Sequence, residues 1–434
     1  MYSAVSFFGV IALISIAWVF SENKRCFPWR TAGYGFLLQG LFAFFVFKVP
    51  FGKSAFLLLN DLVVRLFDCA RQGAIFVFGY LALPPGVTGV NGEVSTGFIL
   101  AFQALPTIIF FGSLMSVFYY LGILQKIIKW FAYLFVKLMR ISGAESFFAA
   151  NSIFVGIESA LAVRPYLDTM TRSELCTILT AGMATIASSM MAIYVSFLHT
   201  EFPAIAGHLV SASILSAPAA VVFSKIIVPE SDIPNTLGTN IDPDISTDSS
   251  LFEAVINGAH AGVKLIVGIV ALLIAILGLV ALADGVLLFA GKYINTVLLF
   301  DIDWSIKGLL GYLFYPFSLL IGIPIEDVAV TAQIIGQRLI VTELQSYSDL
   351  ALAIQENKII YPRSAVITAY ALCGFAHVAS LAIFTGGVTA LIPRRAQVVA
   401  SVGIKALFAA TLACLATAAC AGIFCSGSSV LLAR

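Results

Sequence analysis

Two glutamates stand in otherwise apolar stretches of the chain, Glu158 in SIFVGIESALAV and Glu343 in LIVTELQSY. If these stretches lie in a membrane, each charge costs at least about 2.5–3.5 kcal/mol, and such a residue indicates a functional site. Each carboxylate can accept hydrogen bonds from a solute or hold a proton. The structural alternative is an ion pair with Arg164 or Arg338 that only fixes a hairpin.

Asn151 and Ser189 offer neutral side-chain oxygens in the same half of the chain as Glu158. Together with backbone carbonyls at a helix break, such oxygens suit Na⁺ better than zinc or another soft metal. The alternative is that each side chain bonds a local backbone carbonyl, as small polar residues often do in spanning helices. Spacing alone leaves both interpretations open.

His377, in YALCGFAHVASLAIF, has three interpretations. Its imidazole could titrate in the physiological range and take part in proton coupling. It could also be a neutral donor and acceptor for a sugar-like hydroxyl, or a buried histidine satisfied by a helix carbonyl.

An enzyme is a further alternative, with Glu158 and Glu343 as an acid–base pair in the membrane. No nucleophile with a placed base, no cofactor loop and no metal or redox spacing of the seven cysteines and four histidines accompanies them. We therefore predict no catalytic residues and no cofactor.

The composition indicates a membrane protein. Of 434 residues, 60% are hydrophobic and 11% are charged, whereas a soluble domain has about 25% charged residues. The mean hydropathy is +1.01. The net charge of +1 gives no electrostatic footprint for nucleic acid.

Six apolar stretches approach or exceed the length of about 20 residues that a helix needs to span the hydrocarbon core. These candidate spans are 4–21, 31–49, 97–121, 203–228, 253–290 and 400–428. The fifth is long enough to be strongly tilted or to project beyond the bilayer. The basic cluster Lys24, Arg25 and Arg30 follows the first stretch. This order predicts a span with a cytoplasmic first loop rather than a cleaved signal.

Charged and polar residues interrupt the pattern elsewhere. Residues 53–83 suit an amphipathic helix at the interface followed by a shorter apolar piece, and 124–140 is again amphipathic. Residues 229–250 predict an aqueous linker between two halves. The regions 142–200 and 322–392 fail as simple spans. Interrupted segments at corresponding places in two halves indicate a transporter binding site, because non-helical backbone at membrane depth must be buried or line a wet cavity.

The two interrupted regions also resemble each other. Each has a carboxylate, an Arg-Ser helix start and a serine at a small-residue break. These are Glu158, Arg172-Ser173 and Ser188-Ser189 in the first region, and Glu343, Arg363-Ser364 and Ser380 in the second. Two such units with opposite topology would bring both carboxylates to one central site.

At these residues the chain resembles the concentrative nucleoside transporters, from about Gly33 to Phe424. The matching blocks are GFLLQGLFAFFVFKVPFG near 35–52, FFAANSIFVG at 147–156, VRPYLDTMTRSEL at 163–175, MATIASS at 183–189 and YALCGFA at 370–376. The resemblance implies an all-α polytopic membrane protein with two inverted repeats, two re-entrant helical hairpins and discontinuous helices. It also implies a homotrimer.

The resemblance assigns these features to ranges of the chain. It implies hairpins at 143–167 and about 323–350, broken helices at 171–198 and 363–391, and scaffold elements that include 31–49 and 53–66. The predicted division is an N-terminal scaffold 1–96, a first repeat 97–228, a polar linker 229–250 and a second repeat 251–434.

On the nucleobase side the resemblance is incomplete. Glu158 falls on the family's hairpin glutamate, which contacts the nucleobase. Gly156 and Ile157 replace the Gln-Thr pair that precedes this glutamate in the family, and Ser159 and Ala160 replace the Ala-Pro that follows it. Two polar contacts to the base are therefore missing. Loss of a built-in hydrogen bond changes specificity strongly, so we expect an altered base preference.

On the sugar side, Glu343 falls on the glutamate of the family's Asn-Glu-Phe motif, which holds ribose hydroxyls, although Thr342 replaces the asparagine. Ser380 matches the family serine. His377 stands at the position of the ribose-binding asparagine.

The sodium position is better kept. Asn151 and Ser189 match the family's side-chain ligands, and carbonyls near Phe154 and Met190 would complete the site. The resemblance therefore implies Na⁺ coupling, while His377 leaves H⁺ coupling open.

The resulting prediction is a cation-coupled symporter of nucleosides, or of a nucleoside-like polar solute, in the cytoplasmic (inner) membrane. Its predicted partners are the solute, Na⁺, membrane lipid and two further copies of the chain. The alternatives are transport of a non-nucleoside polar metabolite, H⁺-coupled through His377, and a non-transporting membrane receptor of the same fold.

Overall fold

The computed structural model describes residues 2–89, 92–156, 159–241, 248–298 and 302–425. Within these ranges the regular secondary structure is helical, apart from two isolated β-bridges. Seven of the described helical stretches are long and apolar enough to cross a membrane. The prediction of an all-α membrane protein is confirmed.

The N-terminal part forms three helices, α1 (Tyr2–Val19), α2 (Trp29–Lys48) and α3 (Pro50–Phe78). The first two agree with the predicted spans. The expected division of 53–83 into a helix and a separate apolar piece is wrong, because α3 is one helix of 29 residues. Its place at the interface stays a prediction. It ends at Gly79, whose φ of +58° is a conformation that favours glycine.

Three helices follow, α4 (Leu100–Gln103), α5 (Thr107–Tyr120) and α6 (Ile123–Met139). The predicted span 97–121 is therefore not continuous, and a turn separates α4 from α5. Pro106 explains the break, because proline lacks the backbone N–H and its ring would clash with the carbonyl four residues earlier.

The first interrupted region is a hairpin followed by a broken helix. Its elements are α7 (Gly143–Asn151), α8 (Ser159–Ala162), α9 (Arg164–Leu167), α10 (Arg172–Ala184) and α11 (Ser188–Leu198), and then comes α12 (Ile205–Ile227). Capping boxes fix two of these starts, because Ser142 pairs with Glu145 and Thr171 with Glu174. The predicted discontinuity of the helix at 171–198 is confirmed.

The second interrupted region repeats this order after one long helix and one shorter helix. The helices are α13 (Leu251–Leu298), α14 (Ile306–Leu320), α15 (Ile325–Gln337), α16 (Glu343–Gln355), α17 (Pro362–Leu372), α18 (Val378–Leu391) and α19 (Ala396–Phe424). The hairpin of α15 and α16 thus extends beyond residue 350. The discontinuity at 363–391 is confirmed. The helix α19 ends at Phe424, four residues before the end of the candidate span 400–428, and 426–428 lie outside the described residues.

Burial separates the helices into a core and a periphery. In α12, 89% of the most apolar stretch is buried, whereas the corresponding share in α13 is 6%. At 1.5 Å per residue the 48 residues of α13 extend about 72 Å, more than twice the roughly 30 Å of a hydrocarbon core. The helix α13 therefore runs along the outside of the bundle.

A buried ion cluster holds the first hairpin to the core. The Lys225 Nζ on α12 lies 2.6 Å from the Glu145 Oε1 on α7 and 2.9 Å from the Glu230 Oε2. It also donates to the Ser173 hydroxyl on α10, at 3.1 Å. A buried charge is tolerated only when it is paired in this way, so the cluster fixes where α7 begins relative to α10 and α12.

Candidate ion and solute site

Each hairpin is tied at its turn to the broken helix of the same repeat. The Phe154 carbonyl accepts hydrogen bonds from the backbone N–H of Ser188, at 3.0 Å, and from its hydroxyl, at 2.8 Å. In the second repeat the Leu339 carbonyl accepts the backbone N–H of Val378, also at 3.0 Å. Ser188 and Val378 are the first residues of α11 and α18. The same contact therefore sets both breaks, because helix starts have unpaired N–H groups.

Asn151, the last residue of α7, lies beside this first break and is buried. Its Oδ1 accepts a hydrogen bond from the hydroxyl of Tyr119 on α5. Ser213 on α12 supports the same region, because its hydroxyl donates to the Ile153 carbonyl at 3.0 Å and lies 3.5 Å from the Ile186 N–H. With the Ser188 hydroxyl on α11, hydroxyls from three helices therefore donate to oxygens near the first break.

A cavity of about 430 Å³ opens onto these oxygens. Its lining includes Asn151, Phe154, Gly156 and Ser189, together with Tyr119. Neutral oxygens of this kind suit a hard cation rather than a soft metal. Among the residues that the structure describes, no group of three His, Cys, Asp or Glu side chains is placed to hold a metal ion.

Glu343 is the first residue of α16 and is buried. Its Oε1 accepts a hydrogen bond from the Tyr194 hydroxyl, at 2.9 Å, and its Oε2 lies 2.8 Å from the His377 Nε2. Arg338 instead donates to the Ala371 carbonyl. The alternative of a structural pair between Glu343 and Arg338 is therefore wrong.

His377 caps the start of α18. Its Nδ1 accepts the Ser380 N–H at 3.2 Å, and its Nε2 lies 2.8 Å from the Ser380 hydroxyl. Because Nδ1 is an acceptor, the neutral ring carries its proton on Nε2, which is the atom that faces Glu343. The interpretation of a histidine satisfied by a helix carbonyl is wrong.

A second cavity, of about 130 Å³, is lined by Thr342, Glu343, His377 and Ser380 and also by Met190. The two cavities adjoin, and the residues that line both are Gly156, Ala187, Ser189 and Leu265. Leu265 lies on α13, so the outer helix closes one side of both. Those predicted ion and solute residues that the structure describes therefore line one region.

Gly156 lines both cavities. Ile157 and Glu158 lie outside the described residues. The prediction that Glu158 contacts a nucleobase therefore stays a prediction.

Two tyrosines were missed in the sequence. Tyr194 on α11 contacts Glu343, and Tyr119 on α5 contacts Asn151. A signal did exist, because a buried tyrosine hydroxyl needs a hydrogen-bond partner, and both residues stand in apolar stretches.

Known proteins match the chain along most of its length. The family description Na⁺ dependent nucleoside transporter N-terminus matches residues 8–81, nucleoside recognition matches 101–201, and Na⁺ dependent nucleoside transporter C-terminus matches 208–422. An uncharacterized transporter of Haemophilus influenzae is 37% identical over 96% of this chain and 97% of its own. The nucleoside permease NupC of Helicobacter pylori is 33% identical over 97% of this chain and 98% of its own. The chain belongs to the concentrative nucleoside transporter family.

Structural similarity supports this assignment. The structure of CNTnw in an inward-facing substrate-bound state has a TM-score of 0.88 to this transporter and 32% sequence identity, and covers 99% of this chain and 100% of its own. Mouse solute carrier family 28 member 3 is longer; this transporter is 36% identical to it and spans 58% of its length.

Family membership settles several alternatives. The fold is the predicted one, with two inverted repeats, two re-entrant hairpins and discontinuous helices. The protein is a multi-pass membrane protein of a Na⁺-dependent nucleoside transporter family. Because the family and its structural neighbours are transporters, the alternative of an enzyme with Glu158 and Glu343 as an acid–base pair is wrong.

Proposed function

We propose that this transporter carries nucleosides, or a closely related polar solute, by symport with Na⁺. The observation that carries the proposal is the junction of the two cavities, which share Gly156 and Ser189. One cavity presents neutral oxygens, and the other presents a carboxylate, an imidazole and a hydroxyl. An ion and a solute bound there would be neighbours, so each could alter the affinity of the other.

The proposed Na⁺ ligands are the side-chain oxygens of Asn151 and Ser189 and the carbonyls of Phe154 and Met190. One present contact changes when the ion binds. The Phe154 carbonyl already accepts two hydrogen bonds from Ser188, so the Ser188 hydroxyl, which rotates easily, turns away from it. The Asn151 Oδ1 accepts one bond, from Tyr119, and its second lone pair can face the ion.

In the proposed solute site, Glu343, His377 and Ser380 hold the hydroxyls of a sugar. The base would lie towards Gly156, Ile157 and Glu158. Gly156 has no side chain and Ile157 has no polar group, so the base has fewer hydrogen-bond partners than in a typical family member. We therefore propose a nucleoside with an altered base preference.

The assembly and location belong to the same proposal. The scaffold 1–96 and the repeats 97–228 and 251–434, joined by the linker 229–250, would form one subunit of a homotrimer in the cell membrane. A further relative, sodium/nucleoside cotransporter 1 of the rat, is 32% identical over 96% of this chain. The ion in its name supports the choice of Na⁺.

Uptake into proteoliposomes tests the function. The purified transporter is reconstituted, and radiolabelled nucleosides, bases, sugars and amines are offered under an inward Na⁺ gradient or an inward H⁺ gradient. We expect nucleoside accumulation with Na⁺ that a Na⁺ ionophore abolishes. Accumulation under the H⁺ gradient alone would contradict Na⁺ coupling and favour H⁺ coupling through His377. Accumulation of a sugar or an amine but of no nucleoside would contradict the proposed solute. If no compound accumulates under either gradient, the transport function is wrong.

A further inference from the structure

Tyr194 connects the two repeats at the proposed site. It lies on α11 in the first repeat, is fully buried, and donates its hydroxyl to the Glu343 Oε1 at 2.9 Å. Glu343 belongs to the hairpin of the second repeat. A hydrogen bond to a carboxylate is stronger than one between neutral groups, so this bond restricts how the carboxylate can be oriented.

A second tyrosine fixes the ring of the first. Tyr347 on α16 stacks on Tyr194 with ring centroids 4.4 Å apart and an interplanar angle of 24°. Its hydroxyl donates to the Ala369 carbonyl, at 3.0 Å, and not to Glu343. The Tyr194 ring therefore has little freedom, and its hydroxyl follows the position of α11.

The same helix carries two of the proposed ion ligands. Ser189 and Met190 lie in the first turn of α11, and Tyr194 lies about one turn beyond Met190. A helix this short moves as a rigid unit. An ion that fixes the first turn of α11 would therefore also fix Tyr194 and, through it, the Glu343 carboxylate.

We propose that Tyr194 is a positioning residue that sets the Glu343 carboxylate according to whether the ion is bound. The proposal rests on the proposed function, since it assumes that Na⁺ and the solute occupy the adjoining cavities. It assigns the coupling between ion and solute to a single hydrogen bond between the repeats. By linkage, the factor by which Na⁺ raises solute affinity equals the factor by which solute raises Na⁺ affinity.

The test compares Tyr194→Phe with Tyr347→Phe in the full-length transporter. Each change removes one hydroxyl and keeps both rings, but only the first removes a donor to Glu343. Binding of radiolabelled uridine and adenosine is measured with saturating Na⁺ and with choline in its place. For Tyr194→Phe we expect affinity in Na⁺ to fall roughly tenfold, the size of a charge-assisted hydrogen bond, and the Na⁺-to-choline affinity ratio to fall with it. Tyr347→Phe should leave the ratio at the wild-type value.

Two outcomes overturn the proposal while the proposed function stands. One is a wild-type Na⁺-to-choline ratio in Tyr194→Phe, and the other is an equal fall of the ratio in both variants. If the wild-type protein binds neither nucleoside in a Na⁺-dependent way, the proposed function fails and this inference fails with it.

A double-mutant cycle gives a second measurement that does not need solute binding. Thermal unfolding is compared for Tyr194→Phe, Glu343→Gln and the double variant. We expect the two changes to be non-additive, because the residues are in direct contact. Additive effects would contradict the proposed hydrogen bond.

Discussion

Gly374 lies against the carbonyl of Ala184, so that the breaks of the two discontinuous helices touch. Ala184 ends α10, and Gly374 stands between α17 and α18. A Cβ atom on Gly374 would lie 2.8 Å from the Ala184 oxygen and 2.9 Å from the Cys414 Sγ. The Cys414 thiol also donates to the Cys373 carbonyl, at 2.8 Å. The two repeats thus meet at a point where only glycine fits.

Replacing Gly374 with alanine should destabilise the transporter. Its φ of +125° is one that residues with a side chain rarely adopt, and holding such a residue there costs about 1–3 kcal/mol before the clash with Ala184. We expect Gly374→Ala to lower the Tm and to reduce nucleoside uptake. The control is Gly386→Ala in α18, where a Cβ meets nothing within 4 Å. Equal Tm values for the two variants would contradict this account.

The sequence predicted the pattern of broken helices because polar residues interrupt the apolar runs at 142–200 and 322–392, and the resemblance assigned the breaks to ranges. The structure adds local signals at the same places, since capping boxes at Ser142 and Thr171 begin α7 and α10 and Pro362 begins α17. Charged residues do not interrupt α3, because Asp61 and Arg65 both lie on an exposed face of a continuous helix. The exposure of a helix face depends on its neighbours, which the sequence does not show.

The site could be predicted from the sequence only in part. The candidates Asn151, Glu343 and His377 stand out as polar residues in apolar runs. The bond between Tyr194 and Glu343 joins residues 149 positions apart, and no spacing rule relates them. Such contacts arise only when the two repeats pack together, so the partners of the candidate residues could not be predicted from the sequence.

Replacing Asn151 with alanine should abolish the Na⁺ dependence of uptake, because the side-chain oxygen proposed to hold the ion is lost. The matched variant is Tyr119→Phe, which removes the hydroxyl that donates to the Asn151 Oδ1 and keeps the oxygen itself. We expect Tyr119→Phe to keep Na⁺ stimulation with an unchanged or lower half-saturating Na⁺ concentration. Na⁺ titrations of nucleoside uptake measure both. Retained Na⁺ dependence in Asn151→Ala would show that the ion assignment is wrong.

Glu22 should stabilise the fold in a pH-dependent way. Its carboxylate, in the loop between α1 and α2, accepts hydrogen bonds from Arg172 on α10 and Lys405 on α19. Partial burial alone raises the pKa of Glu22, but the bonds to Arg172 and Lys405 outweigh it and hold the pKa below its usual value. A lowered folded-state pKa means that the stabilisation is present above the unfolded-state pKa of about 4.3 and is lost as pH falls through the folded-state pKa.

Glu22→Gln tests this sign. We expect the variant to have a lower Tm than the wild type at pH 7 and the difference to vanish in acid. The corresponding loss in the free energy of unfolding is at most about 1 kcal/mol per ion pair. The control is Glu356→Gln, since Glu356 is half-exposed and pairs with its near neighbour Lys358. A Tm difference for Glu22→Gln that grows as the pH falls would contradict the proposed ion pairs.

Replacing His377 with asparagine tests the identity of the solute. The resemblance implies asparagine at this position, and asparagine offers a donor and an acceptor to sugar hydroxyls. It would also free the Glu343 Oε2, which now lies 2.8 Å from the His377 Nε2. If the solute is a nucleoside, we expect uridine and adenosine to bind more tightly, by roughly tenfold for one well-placed hydrogen bond.

The control is His199→Asn, at the end of α11, which lines neither cavity. Unchanged nucleoside binding in a folded His377→Asn protein would indicate that the sugar side of the site reads a different solute, and the uptake panel would then be extended to other polar metabolites with vicinal hydroxyls.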